Sequence, residues 1–275
     1  MSNLMHYVLY PLQFPAILNS LLIATIVVVP MAILSCFVIL KNQSFLGEVI
    51  SHSSLPGIVL AYMVGIPLEI GAFFAAMVCT LSSGYLKEKS NFSEDILLNI
   101  VFSSMFALGI IMMLKFPSNI HFNHILLGDM LGIDESSIVI TGLVSLMVIS
   151  FLILKKKDLL LLIFDPMHAR SVQIPTRLLH YSFLIIIAVI IVLSLKSTGI
   201  ILPPAALVFP GSTAFLLSRH HTTMILISVI ISIICTILGV YISFFINSSA
   251  SPTIVMLMSF SFLITYLYSG RTQKS

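Results

Sequence analysis

Charged residues are scarce in this chain. Lys, Arg, Asp and Glu make up 8% of its 275 residues, whereas 59% are hydrophobic and the mean hydropathy is +1.14. A soluble domain carries about 25% charged residues, so the composition excludes a chain that is hydrated over its whole surface. We therefore predict an all-α polytopic membrane protein, whose apolar helices cross a bilayer.

Sequence motifs for two kinds of enzyme are also absent. There is no G-x-x-x-x-G-K-[ST] motif, so the chain does not hold ATP phosphates in that way, and no H-E-x-x-H motif, which an intramembrane metallo-enzyme would need. The chain has no tryptophan, and its three cysteines form no C-x-x-C pair. We interpret these cysteines as small apolar packing residues: Cys36, Cys79 and Cys235.

Nine apolar segments predict about nine transmembrane helices, because a span needs roughly 20 apolar residues and fewer inside a bundle. No segment between them is long enough for a soluble domain, so residues 1–275 are predicted to form one transmembrane domain. Proline and glycine interrupt the second segment at Pro56-Gly57 and the seventh at Pro203-Pro204 and Pro210-Gly211. Freed backbone groups need partners, so both segments are predicted inside the bundle. The nine are 16–40, 50–66, 69–86, 94–114, 137–154, 178–195, 199–217, 222–246 and 252–269.

The distribution of cations predicts the orientation. With the N-terminus outside and nine spans, eleven of the 13 Lys and Arg residues lie on the cytoplasmic side, and only Lys115 and Lys196 lie outside. Cytoplasmic loops are enriched in these residues, so the C-terminus, which carries Arg271 and Lys274, is predicted to be cytoplasmic. Eight spans, the alternative count, would break this agreement at one end.

Two segments do not span. The external segment 115–136 is predicted to be a short surface or re-entrant helix, and His121 and His124 near Asp129 could attract cations there, although a solvated loop is the simpler interpretation. The cytoplasmic segment 155–177 contains Asp165-Pro166, a helix start, and Pro175, a helix stop. These signals predict a helix over 165–175 along the cytoplasmic face, with an ordinary basic loop as the alternative.

Glu48 and His52 stand four residues apart at the start of the second segment. On a helix they share one face, and carboxylate plus imidazole suits manganese, iron or zinc. Two ligands leave the site incomplete, as suits a transporter that must release its cargo. The alternative is that Glu48 stabilises the N-terminal end of a helix dipole and His52 is an interior histidine with satisfied hydrogen bonds.

Several motifs resemble the integral membrane permeases of metal-ion ABC transporters, which import zinc, manganese and iron chelates. The first contains the glycine-acid-x-x-x-His-serine signature, and the set follows in order through nearly the whole chain. The motifs are GEVISHSSLPGIVLAY at 47–62, NHILLGDMLGI at 123–133, FDPMHARSVQIPTRLLHY at 164–181, LKSTGIILPPAALVFPGSTAFLLSRH at 195–220 and GVYISFFINSSASPTIVML at 239–257.

The resemblance implies a fold related to the vitamin B12 and siderophore importers, with the pore formed by two permease subunits. It implies two cytoplasmic ATPase subunits, an extracytoplasmic metal-binding protein and no stably bound cofactor beyond the transported ion. It assigns metal contact to Glu48 and His52, although the family usually has Asp where this chain has Glu. The helix at 165–175 would be the coupling helix that contacts the ATPase, and the matching residues are Asp165, Ala169, Arg170 and Ser171.

The resemblance also bears on the cargo. The sequences HILLGDMLGI and the Pro210-Gly211 pair are more similar to the manganese and iron branch than to the zinc branch. A gradient-driven secondary transporter or channel for divalent metals is the rival function, because broken helices with an acid at membrane depth suit that class too.

Overall fold

The computed structural model describes residues 15–90, 92–115, 128, 132 and 135–272, and the regular structure in these ranges is α-helical. The helices are α1 (Pro15–Leu40), α2 (Leu46–Ser53), α3 (Leu55–Val64), α4 (Leu68–Lys89), α5 (Glu94–Lys115), α6 (Glu135–Leu154), α7 (Lys156–Phe164), α8 (Pro166–Ser171), α9 (Thr176–Thr198), α10 (Leu202–Leu217), α11 (His221–Ile246) and α12 (Ala250–Thr272).

All nine predicted segments are helical, but two of them differ from a full-length span. Seven helices in the described ranges are long and apolar enough to cross a membrane: α1, α4, α5, α6, α9, α11 and α12. The seventh predicted segment is α10, an apolar helix of 16 residues. The second begins earlier than predicted, at Leu46, and consists of the two short helices α2 and α3, which meet at Ser54.

Helix α1 lies at the centre of the bundle. It packs against α10, α11, α6 and α9, and 72% of its most apolar window is buried within the protein. Phe37 is fully buried there, with its ring centroid 6.5 Å from that of Phe183 on α9. A helix that is apolar on every side needs protein or lipid around it at all angles, and here protein supplies most of that environment.

The prediction that Pro210-Gly211 interrupts the seventh segment is wrong. Helix α10 runs through both residues, and Pro203 lies in its first turn, where a missing N–H costs nothing. The backbone N–H of Gly211 donates to the hydroxyl oxygen of Ser35 on α1, at 2.9 Å. A side chain from a neighbouring helix thus satisfies a buried donor beside the proline, as a membrane interior requires. The predicted burial of this segment is confirmed.

Helices α3 and α4 cross at two glycines. A Cβ atom added to Gly57 would lie 2.7 Å from the Cβ of Ala75 and closer still to the carbonyl oxygen of Gly71. A Cβ atom added to Gly71 would lie 2.6 Å from the Cβ of Ala61. The two backbones therefore touch, as small residues allow in membrane bundles. This crossing holds α3, and through it the end of α2, against the bundle.

Candidate functional site

Glu48 and His52 lie on the exposed side of α2. Glu48 is in the first turn of this helix and is exposed, and His52 follows one turn later and is half-buried. The rest of the helix faces α5, α9 and α10, which explains why six of its eight residues are buried. These six are Leu46, Gly47, Val49, Ile50, Ser51 and Ser53.

The imidazole of His52 is fixed on one side by its own helix. Its Nδ1 lies 3.0 Å from the backbone carbonyl oxygen of Glu48. Because a carbonyl oxygen can only accept, Nδ1 is the protonated nitrogen, and the lone pair of Nε2 stays available for a ligand. A hydrogen bond of this kind from the second ring nitrogen is the usual way in which a metal-binding histidine is oriented.

Two phenylalanines on α5 pack against the same ring. Phe102 and Phe106 meet His52 edge-on, with ring centroids 6.0 Å and 5.5 Å away, and they stack on each other at 5.8 Å. The sequence analysis did not identify them. Their signal is an aromatic pair four residues apart on one helix, a spacing that places both rings on one face.

The serines around the pair do not extend the site. Ser51 donates to the carbonyl oxygen of Gly47 at 2.8 Å, Ser53 to that of Ile50 at 3.2 Å, and Ser54 to that of Ser51 at 2.6 Å. All three are fully buried. Their hydroxyls satisfy the backbone of α2 and mark its break before α3.

A complete metal-binding group does not occur within the described ranges. No three His, Cys, Asp or Glu side chains there come together in a way that could hold an ion. The pair therefore offers one imidazole nitrogen and one carboxylate, which are too few to form a closed metal site by themselves. His121, His124 and Asp129, the external candidates, lie outside the described residues.

The helix predicted at 165–175 is shorter than expected. It begins as predicted, with the Asp165 side chain accepting a hydrogen bond from the backbone N–H of His168 at 2.9 Å. It ends at Ser171, because Gln173 takes a left-handed conformation (φ 61°) and the N–H of Ile174 bonds the carbonyl oxygen of Ala169 at 3.0 Å. This termination motif usually carries glycine, so a glutamine at this position does not predict it. Helix α7, which precedes this one, was not predicted.

The four residues matched to the coupling motif are all on or beside α8. Ala169 is buried, whereas Asp165, Arg170 and Ser171 are exposed. Three large apolar side chains are exposed on the same segment, each by more than half: Phe164 by 69%, Met167 by 74% and Val172 by 56%. Exposed apolar side chains beside charged residues, on a short helix, are typical of a surface that another protein covers.

Known proteins similar to this chain are membrane components of metal transport systems. The model of the ABC 3 transport family matches residues 13–269. The chelated iron transport system membrane protein YfeD of Yersinia pestis is 39% identical over 269 residues, 98% of this chain and 91% of its own length. The manganese transport system membrane protein MntB of Synechocystis is 37% identical over 95% of this chain and 86% of its own length. The structure of PsaBC from Streptococcus pneumoniae in complex with Fab superposes with a TM-score of 0.84 at 30% identity, covering 95% of both chains.

Proposed function

The chain belongs to the ABC 3 transport family, and on that basis we propose that it is the membrane-spanning subunit of an ATP-driven importer of divalent transition-metal ions. The family match confirms the resemblance drawn from the sequence motifs. The protein is thus an integral membrane protein of the bacterial inner membrane and a transport subunit, and ATP hydrolysis belongs to a separate partner. The names of the similar proteins, for iron and for manganese systems, support manganese or iron over zinc as the cargo.

The pair of Glu48 and His52 carries this proposal. A protonated Nδ1 leaves Nε2 of His52 as a nitrogen ligand, and the exposed carboxylate of Glu48, one turn away, is free to supply oxygen. This mixed nitrogen and oxygen set suits first-row divalent ions. Phe102 and Phe106 limit the rotation of the imidazole, so the ion meets a ligand whose orientation is already set.

Two ligands from one chain support a pore shared between two subunits. Water and side chains from a second permease subunit, identical or paralogous, would complete the coordination. Such a site binds weakly enough to release the ion, which transport requires. The longer side chain of Glu48, compared with the usual Asp, would reach further across the passage.

Helix α8 is the proposed contact with the ATPase. The exposed apolar side chains on and beside it, Met167 above all, would insert into a groove of the ATPase, and Arg170 would pair with an acidic group there. Asp165 holds the first turn in shape through its hydrogen bond to the His168 N–H. ATP-driven closure of the ATPases would then move α7 and α8 and alternate the access of the pore.

The external face is the proposed dock for a metal-binding protein. The segments concerned are 115–136 and 247–252, where the chain passes from α11 into the first turn of α12. This proposal follows the orientation expected from the cations, with the N-terminus outside and the C-terminus cytoplasmic. The binding protein would deliver the ion to the passage above Glu48.

The test is uptake of manganese by proteoliposomes that contain the permease, its ATPase and its binding protein. We expect Glu48→Gln and His52→Ala each to abolish ATP-dependent uptake while the complex still assembles. Asp95→Asn and His220→Ala remove an exposed acid and an exposed histidine elsewhere and should leave uptake unchanged. Normal uptake in the first two variants would refute the site, and uptake driven by an ion gradient without any ATPase would favour the rival secondary transporter.

A further inference from the structure

A cavity of about 300 Å³ opens between α4 and α6, both of which pack on α9. Its walls are almost entirely apolar, and its volume lies at the lower end of the range for small-molecule pockets, roughly 300–1,000 Å³. Along α9 the lining begins one turn before Lys196 and continues inward to Val189. The lining residues are Glu69, Ile70, Phe73, Val144, Val189, Val192 and Leu193.

One residue of the lining, Glu69, carries a negative charge, and a lysine, Lys196, lies beside it. Glu69 is in the first turn of α4, and Lys196 is in the last turn of α9, so both belong to the same membrane surface. The Lys196 Nζ lies 3.6 Å from the Glu69 carboxylate oxygen and 3.2 Å from the hydroxyl oxygen of Ser137, the third residue of α6. A separation of 3.6 Å is too long for a direct hydrogen bond, so both charged groups retain hydrogen-bonding capacity.

An apolar groove at a membrane surface with a charged pair at its mouth matches the chemistry of a phospholipid. We propose that the cavity binds one acyl chain of a phospholipid whose headgroup carries a primary ammonium, such as phosphatidylethanolamine. The ammonium donates to the Glu69 carboxylate, and the phosphate accepts from Lys196 and Ser137. The chain lies along Phe73, Val144 and Val189.

Selectivity in this site comes from the headgroup. The bilayer solvates an acyl chain as well as the cavity does, so the hydrophobic effect does not drive the lipid from the membrane into the groove. Charge-assisted hydrogen bonds at the mouth therefore distinguish one lipid from another. Phosphatidylglycerol has no cation for Glu69, and the quaternary ammonium of phosphatidylcholine has no N–H to donate. This inference does not depend on which ion the protein transports.

The experiment is native mass spectrometry of the purified, delipidated permease titrated with the three lipids, all with the same acyl chains. We expect phosphatidylethanolamine to be retained roughly three- to tenfold more than phosphatidylglycerol, the effect of one charge-assisted hydrogen bond at a partly exposed site. Glu69→Gln should bring that ratio to about one. Lys196→Gln should weaken the retention of phosphatidylethanolamine and of phosphatidylglycerol. Lys115→Gln, which removes the other outer cation, should leave the retention of these two lipids unchanged.

A second variant separates lipid binding from charge. Leu193→Phe places a larger side chain in the cavity and removes neither charged group, so it should lower the retention of all three lipids together. Equal retention of the lipids by the unaltered protein, or an unchanged preference in Glu69→Gln, would overturn the proposal. A permease dimer that carries no lipid and dissociates in Leu193→Phe would assign the cavity to a second copy of the chain and would overturn it as well.

Discussion

The crossing of α3 and α4 permits a sharp test of the packing argument, by the substitution Gly57→Ala. The added Cβ would lie 2.7 Å from the Cβ of Ala75 and 2.6 Å from the carbonyl carbon of Gly71, whereas ordinary contact begins at 3.4 Å. The obstacle is backbone and a methyl group, neither of which can turn away into another rotamer. The two helices must therefore move apart.

The expected cost follows from two opposing terms. Overpacking of a tight contact costs about 1–3 kcal/mol, and the rigid obstacle places this case in the upper part of that range. Replacing a helical glycine with alanine recovers roughly 0.5–1 kcal/mol of conformational entropy. The net loss is about 1–2 kcal/mol, which corresponds to a decrease in Tm of roughly 2–8 °C for a domain of this size.

The matched control is Gly142→Ala. Gly142 is also in the interior of a helix, α6, but a Cβ atom there meets nothing within 4 Å. Only the entropy term acts, so Tm should stay the same or rise slightly.

The cysteines provide the assay, because the chain has no tryptophan to report unfolding. Cys36, Cys79 and Cys235 are free and buried, so a thiol-reactive fluorophore labels them only as the bundle opens. Melting curves of the two variants in the same detergent give the comparison. If Gly57→Ala melts at the same temperature as Gly142→Ala, the close crossing of α3 and α4 is wrong.

Three further predictions concern single hydrogen bonds and charges. Ser35→Ala leaves the Gly211 N–H without its acceptor and should lower the free energy of unfolding by about 0.6–1.7 kcal/mol, as the loss of a side-chain hydrogen bond does in membrane bundles. The same melting assay checks this. The neutral control is Ser104→Ala, because Ser104 is exposed and bonds only its own helix. Arg170→Glu should abolish the stimulation of ATP hydrolysis by loaded binding protein, whereas the control Lys157→Glu, which makes the same change of charge, should not. If the stimulation survives in Arg170→Glu, α8 is not the coupling contact. Asp165→Ala should destabilise α8 by about 1 kcal/mol and reduce ATP-coupled uptake. Asp165→Asn should retain uptake, because Asn caps a helix equally well. An equal defect in both variants would show that uptake does not depend on the helix cap.

The sequence predicted the nine apolar segments because hydropathy depends on local composition alone. It predicted the start of α8 for the same reason, since Asp165 and Pro166 act within one helical turn. The sequence did not predict that α10 continues through Pro210 and Gly211. The backbone donor beside Pro210 is satisfied by Ser35, which is 176 residues away from Gly211, and no local pattern indicates that partner.

In the candidate site, too, features within one helix were predictable and contacts between helices were not. Glu48 and His52 share a helical face, as their spacing predicted, and their assignment to a metal stays a prediction. The hydrogen bond that fixes His52 is local, within one turn, but Phe102 and Phe106 come from another helix. The early end of α8 depends on a left-handed glutamine, Gln173, and residue type alone gives little warning of such a conformation.

The bond between Ser35 and Gly211 also has a consequence for biogenesis. Helix α1 leaves the ribosome long before α10 and α11, against which it packs, so it must enter the bilayer without them. It can do so because its 26 residues include no charge and its mean hydropathy reaches 2.8. We expect that translation arrested before Leu202 leaves the face of α1 that packs against α10 and α11 in contact with lipid, which exposes the nascent permease to membrane proteases until the last quarter of the chain has been inserted.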